Sequence, residues 1–543
     1  MSVFVDSARK NRRRLFWVFA VIFMLAASLR VSFAVRHCLW VDELFSLAIA
    51  TGHSLEHPAA AARPELGDFV EAERALPAEE WCRYLRHDNP PAGLARVLRA
   101  ILLSDTSPPL YYVCLYYWTR CFGTSDLALR LFSTSCSLAC FPLVAGISNQ
   151  LAGRRASIAA LALFAFSPIG MFYSTEGRMY ALLWLCVLGL IAASLRLHRR
   201  GGTIPAVLWV IASAAGFLTH YFFVFVWCAI VAVLLSTSGR LSKRTLLLCV
   251  LGTGLLILPW YMNLPRSLHS WRITQDWLHV KPHGFHRVKM MIALAAQTFC
   301  GYEKDLWPGS RLGGIISLIL VSAAVGIMIW RLGRRIFNWR MTLIWLSFAA
   351  ACLGPVVFDF MMHTYTIAVP RYAIAGLPSA CLLGGIALAC LRTRARYIFL
   401  AVILLSWLPN IYLLYRAPSR NYSALCDVTT AVNADARPSD LILVHSIPSG
   451  VIGVAHYSKK GAAIASWVGQ LETHRVPESL LSLADGRQRI LFVKFHEVGE
   501  PAPEESWLRQ HANVVKELRM RATLVEFRPM NAATFEAEKT RTF

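Results

Sequence analysis

Charge is scarce in this chain, and what there is leans one way. Of its 543 residues only 16% are Asp, Glu, Lys or Arg, against about 25% in an ordinary soluble domain. So little charge cannot coat a soluble protein of this size. With 56% hydrophobic residues and a mean hydropathy of +0.48, the composition is that of a polytopic membrane protein. Acids are the rarer sign, 32 against 55 basic residues, which gives a net charge of +23. On a soluble protein that excess would suggest nucleic acid; here its distribution argues against such a partner. The 14 cysteines include no C-x-x-C pair, so they offer no metal motif of that kind. No internal repeat suggests a transporter made of inverted halves.

What the chain has instead is apolar runs long enough, or nearly so, to span a bilayer. They fall at about eleven places, near residues 15–36, 125–150, 156–172, 179–197, 203–219, 221–238, 245–262, 311–330, 341–358, 371–391 and 396–415. Basic clusters occupy every second connection: ARKNRRR at 8–14, GRR at 153–155, HRR at 198–200, GRLSKR at 239–244, RLGRR with Arg340, and RTRAR at 392–396. The positive-inside rule places all six in the cytoplasm, with the N-terminus. Those connections hold one acid, Asp6, whereas eleven acids lie in 37–107 and fourteen after 416. The first run has the basic flank of a signal peptide, but no clear A-x-A site follows it.

Three regions are thereby expected outside the cytoplasm. The loop 37–124 carries WVDELFS and two Pro-Pro signals, and its aromatic segment 109–122 is too short to cross and reads as an interfacial helix. Cys38 and Cys82 share this loop and are candidates for a disulfide in an oxidising compartment. The second region, about 263–310, interleaves Arg266, Arg272, Lys281, Arg287 and Lys289 with His269, His279, His283 and His286, and ends in a short apolar piece, MMIALAAQTF. The third, from about 416, alternates strand-like DLILVHS, RILFVKF and ATLVEF with the helical patterns SALCDVTTAVNAD and EESWLRQHAN, which suggests a small α/β domain. The fold expected is mainly α: a helical membrane domain over 1–415 and an extramembrane α/β domain over 416–543.

The candidate chemistry gathers on the outer face. Asp42 and Glu43 stand just past the first span; a polar stop would look the same, but so would a general base placed within reach of an acceptor hydroxyl. Adjacent residues point different ways, so one of the pair can face a given centre; Asp42 is taken for the chemistry and Glu43 for positioning. FYSTEGRMYAL, between spans three and four, brings Glu176, Arg178 and Tyr180. VPRYAIAGLP brings Arg371 and Tyr372, and THYFF brings His220, a lone histidine more often structural than catalytic. The arginines either snorkel to the interface or grip an anionic group with a planar donor fork. An acid and several cations on one membrane boundary suit transfer from a lipid-linked phosphate.

Taken in order, WVDELFS, PPLYY, FGTSDLALRLFS, LAGRR, YSTEGRMYAL, THY and PRY resemble the family 39-type membrane glycosyltransferases of the GT-C fold, over roughly 15–415 and most strongly over 38–182. This family includes protein O-mannosyltransferases and lipid A aminoarabinose transferases. The resemblance implies an inverting transfer of a monosaccharide from a polyprenyl-phosphate donor to a lipid, glycan or protein acceptor at the outer face of a bacterial inner membrane. It implies Asp42 as base, Arg178 and Arg371 near the donor phosphate, and Tyr111, Tyr112 and Asp105 shaping the cavity. One base suits a single displacement; with a phosphate acceptor Asp42 would instead orient or stabilise charge. No cofactor is expected. A divalent cation is the one candidate, although an adjacent acid pair supplies few ligands for it. The acidic insertion at 56–88 and Gly177, where related sequences often carry Ala, depart from the pattern. Alternatives are a transporter or flippase of lipid-linked sugars, a ligase using diphosphate-linked oligosaccharides, and an inactive relative.

Overall fold

The computed structural model describes residues 2–105, 107–237, 241–273, 296, 311–416, 420–495, 502–519 and 523–529. Lys281, Arg287, Lys289, His279, His283 and His286 lie outside these, as does MMIALAAQTF apart from Ala296.

Each of the eleven apolar runs is helical, as a lipid environment requires of a chain that must satisfy its own backbone. We label α1 (Ser2–Arg36), α2 (Val41–Ala50), α3 (Leu110–Phe122), α4 (Asp126–Phe166), α5 (Pro168–Thr175), α6 (Tyr180–Arg200), α7 (Thr203–Phe217) and α8 (Phe223–Ser236). Then follow α9 (Lys243–Tyr261), α10 (Arg311–Leu332), α11 (Trp339–Met362), α12 (Leu377–Ala389) and α13 (Thr393–Arg416). Seven helices among the described residues are long and apolar enough to cross a membrane, and three shorter apolar ones accompany them. The 41-residue α4 serves as two runs, because Ala152 and Gly153 leave helical geometry where LAGRR interrupts it. Gly153 has φ 78°, a left-handed conformation that costs glycine little.

Helix α1 shows Trp17, Val21, Met24 and Leu25 on its exposed side but buries Arg30 completely. That guanidinium donates to the carbonyls of Phe164 (3.1 Å) and Ala165 (2.9 Å), and to Ser137 Oγ (3.3 Å). Arg30 thus caps the C-terminal turn of α4, whose last carbonyls lack partners within the helix. The cap fixes where α4 gives way to α5, the helix that leads into Glu176.

The C-terminal region holds a five-stranded sheet of order β2-β1-β3-β5-β4, with β1 (Leu441–His445), β2 (Ala463–Trp467), β3 (Ile490–Lys494), β4 (Ala512–Arg519) and β5 (Thr523–Pro529). Strand β1 runs parallel to β2 and β3; β5 is antiparallel to β3 and β4. LILVH and ILFVK are buried at every position, as continuous apolar runs in parallel strands should be. Helices α14 (Arg420–Asp435), α15 (Pro448–Tyr457), α16 (Glu478–Ala484) and α17 (Pro503–His511) complete it. The three strands and two helices expected from sequence are all present, and β2 and β4 add to them.

The 56–88 insertion docks on this sheet. Leu76 exchanges both backbone hydrogen bonds with Ile464 of β2 (2.9 and 2.8 Å), and Trp81 Nε1 donates to the Ile464 carbonyl (3.2 Å). Buried Glu71 accepts from Ser466 Oγ (2.9 Å) and the Val468 amide (2.7 Å). The expected disulfide partner is corrected here: Cys38 bonds Cys426 of α14, while Cys82 is a buried free thiol. Sequence separation misled because the C-terminal region folds back onto the first loop, across 388 residues.

Candidate active site

The short helix α2 carries the adjacent acids in its first turn, where carboxylates favour the positive end of the helix dipole. Their surroundings separate them. Glu43 is fully buried and accepts from four donors: the Trp40 amide (3.1 Å), Arg130 Nε (2.8 Å), Arg130 Nη2 (2.6 Å) and the Gly177 amide (2.8 Å). The Trp40 bond is the backward half of a capping box. Arg130 also donates to the carbonyls of Ala34 (3.2 Å), His37 (2.5 Å) and Cys38 (2.9 Å). One buried ion pair therefore fastens the end of α1, the start of α2, α4 and the YSTEGR connection to each other. Arg130 lies in FGTSDLALRLFS and was given no role from sequence; a cation within an apolar helix was the available signal.

Asp42, by contrast, faces outward. Its side chain is 34% exposed, and its Oδ2 accepts from Arg371 Nη1 at 3.1 Å. Arg371 lies at the start of the PRY turn, beside the Tyr372 ring at 5.7 Å and the Trp40 ring at 5.9 Å. Two positions far apart in the sequence, 42 and 371, thus meet directly.

Arg178 belongs to a second group, also packed against α2. Its Nη1 donates to Ser46 Oγ (3.0 Å), Tyr112 Oη (3.0 Å) and Asp105 Oδ2 (3.4 Å). Tyr112 also donates to Asp105, and the Ser107 amide donates to Asp105 Oδ1 (2.9 Å). Burial works against the Asp105 charge, but Arg178 and Tyr112 outweigh it and hold the carboxyl below its ordinary range. Tyr111 stands one step back: its hydroxyl meets Ser133 Oγ (3.5 Å), which donates to the Arg178 carbonyl (3.2 Å).

Glu176 is buried with neither carboxyl oxygen hydrogen-bonded among the described residues, and it lines a small cavity with Glu43, Arg130 and Thr175. Burial first, and then the neighbouring Glu43, raise it to about 8, which favours its neutral form. Tyr180, His220 and Tyr372 form an aromatic wall, with the His220 ring 6.4 Å from Tyr180 and 6.5 Å from Tyr372. His220 Nδ1 accepts from the Phe222 amide (3.2 Å), and burial, reinforced by Arg178 and Arg371, lowers it to about 4. A neutral imidazole tied to its own turn fits the structural role more common for such a histidine.

The C-terminal region braces α2 from outside. Tyr457 Oη accepts from the Leu39 amide (2.7 Å) and donates to Asp126 Oδ2 (2.5 Å), while His456 Nε2 pairs with Asp126 Oδ1 (2.8 Å). With the Cys38–Cys426 bond, these contacts fix the segment just before Asp42. Among the described residues, no three His, Cys, Asp or Glu side chains gather as a metal site.

The fold is that of an integral membrane protein of the GT-C type. Residues 106–262 match the family model of dolichyl-phosphate-mannose-protein mannosyltransferase. The fold is similar to that of ArnT from Cupriavidus metallidurans bound to undecaprenyl phosphate, with a TM-score of 0.58 at 12% identity over 94% of this chain and 97% of that one. Against the apo state of ArnT the TM-score is 0.57 at 13% identity, over 97% and 99% of the two chains. No curated protein matches the chain in sequence.

Proposed function

We propose that the protein is an inverting glycosyltransferase that moves a monosaccharide from a polyprenyl-phosphate donor to a lipid, glycan or protein acceptor at the outer face of a bacterial inner membrane. The observation that carries this reading is the division of labour among the acids. Glu43 and Asp105 are consumed by cations and amides inside the protein, Glu176 is buried, and Asp42 alone of the four reaches the surface. In the step proposed, the acceptor oxygen attacks the anomeric carbon as the bond from that carbon to the phosphate oxygen breaks. Asp42 takes the hydroxyl proton, and the polyprenyl phosphate leaves with the electron pair, its charge met by Arg371 and Arg178. Tyr112 and Asp105 hold Arg178, and Tyr180, Tyr372 and His220 wall the sugar site. No cofactor enters this scheme.

The sidedness has its own support. Disulfides persist in oxidising compartments, and the Cys38–Cys426 bond ties the first loop and the C-terminal region to the same such side. That agrees with a cytoplasmic N-terminus and with an extracytoplasmic domain over 416–543 that follows a membrane domain over 1–415. The test uses the full chain in nanodiscs with radiolabelled polyprenyl-phosphate sugars and a panel of acceptors. Label should move to an acceptor with wild type and not with Asp42→Asn. Equal transfer by both removes Asp42 as base; donor movement between leaflets without transfer replaces the transferase with a transporter.

A further inference from the structure

Three arginines serve the candidate site, and they are held in different ways. Arg130 is locked onto Glu43 and three backbone carbonyls. The Nη1 of Arg178 is shared by Ser46, Tyr112 and Asp105, and that side chain is buried. Arg371 keeps 19% of its side chain exposed, and its carboxylate partner is the proposed base itself. In this state the grip for the phosphate and the base for the acceptor occupy each other: one lone pair on Asp42 Oδ2 is taken up by Nη1.

We propose that Arg371 is handed from Asp42 to the donor's phosphate, so that arrival of the donor is what frees the base. This rests on the glycosyltransferase reading above. The donor's phosphodiester presents two non-bridging oxygens that share one negative charge, a geometry that the planar donor fork of Arg371 can grip as it grips the Asp42 carboxylate. Tyr372 and Trp40 flank the guanidinium, with Cζ 5.7 and 5.9 Å from their ring centres. They give the cation an apolar-faced track along which it can shift without losing all contact. The handover imposes an order: donor first, acceptor second. It keeps Asp42 from activating water or acceptor hydroxyls while no sugar is present. No bond is made or broken in this step; one ion pair is exchanged for another.

A double-mutant cycle on binding tests it, with full-length protein in nanodiscs and radiolabelled undecaprenyl phosphate as the probe. Asp42→Asn removes the carboxylate partner of Arg371 and is expected to tighten binding by about fivefold, the equivalent of one partly exposed ion pair. In the Arg371→Gln background the same Asp42→Asn change is expected to alter affinity by less than about 1.5-fold, because no pair remains to be broken. An equal gain in both backgrounds overturns the proposal, since removal of a negative charge near the phosphate then accounts for everything. So does an Asp42→Asn protein that binds no better than wild type. Should Arg371→Gln fail to fold, modification by phenylglyoxal followed by peptide mass analysis reads the same exchange. Arg371 should react several-fold faster in Asp42→Asn than in wild type, and an unchanged rate overturns the handover. Wild type that retains no undecaprenyl phosphate under any condition fails the donor reading itself, a result distinct from binding without coupling.

Discussion

Replacing Glu43 by Gln should cost the protein more than any other isosteric change near the site. The Glu43–Arg130 pair is 1% and 7% exposed at its two side chains, so solvent offers little compensation. Breaking a buried pair by removing one charge typically costs about 3–5 kcal/mol. Glutamine keeps one oxygen, an acceptor for two of the four donors around position 43, and Arg130 retains the carbonyls of Ala34, His37 and Cys38. The lower end, about 3 kcal/mol, is therefore expected for Glu43→Gln, and about 5 kcal/mol for Glu43→Ala, which also strips the Trp40 and Gly177 amides. Thermal unfolding in nanodiscs should show that order. Glu43→Leu combined with Arg130→Met should cost well short of the sum of the single changes, because neither charge is then left alone. Activity should fall with stability, since the same carboxylate fixes the turn that presents Asp42. A Glu43→Gln protein that melts and transfers like wild type would refute the assignment of Glu43 as a strut.

The other expectations concern neighbours of that turn. Burial opposes a charge on His456, but Asp126, with the Cys82 thiol, outweighs it and raises the group to about 9. A raised histidine stabilises fully below its unfolded value of about 6.5 and loses that contribution as pH climbs through about 9. Melting temperature should therefore sag between pH 7 and 10, and His456→Asn should flatten the curve; an identical sag in the variant would discount the pair. Thiol labelling of unreduced, denatured protein should leave Cys38 and Cys426 unmodified. Cys38→Ser should expose the Cys426 thiol and cost about 2–5 kcal/mol, and labelling of both positions in wild type would exclude the bond. A Cβ on Gly177 would lie 2.7 Å from Leu129 Cγ, so Gly177→Ala should cost about 1–3 kcal/mol by overpacking. Adding Leu129→Ala should recover part of that; no recovery would point to the Gly177 backbone instead.

Hydropathy and charge alternation made the membrane helices legible, because in lipid the length and polarity of a segment nearly dictate its structure. Even the break at LAGRR could be read, since its arginines mark the turn. Strands β1, β3 and β5 announced themselves by short apolar runs. Strand β2 did not: AIASW is small and mixed, and it is held by β1 on one side and Leu76 on the other. Strand β4, ANVVKELR, is an edge with exposed Val514 and Val515, and its pairing with β5 defines it more than its composition. The docking of 56–88 on the sheet was hidden for a similar reason. Leu76, Trp81 and Glu71 meet partners nearly 400 residues away, and nothing local to them signals that contact.

The site shows where local reading stops. Asp42 and Glu43 are neighbours with nearly the same chemistry, and only the direction of a helical turn distinguishes them. That direction sends one carboxylate to Arg130 and the Gly177 amide and the other to Arg371, partners supplied from 87, 134 and 329 residues away. Sequence reading could lead one to expect all these groups on one face of the membrane, because topology is argued from runs and charges. It could not say which cation is bound up in structure and which is exchangeable. That distinction depends on what surrounds each guanidinium: five hydrogen bonds to the Glu43 carboxylate and three backbone carbonyls hold the Arg130 side chain, whereas Arg371 pairs with the one site carboxylate left partly open. The residues with the most internal partners are thus the framework, and the pair with the most exposure is where substrate can intervene.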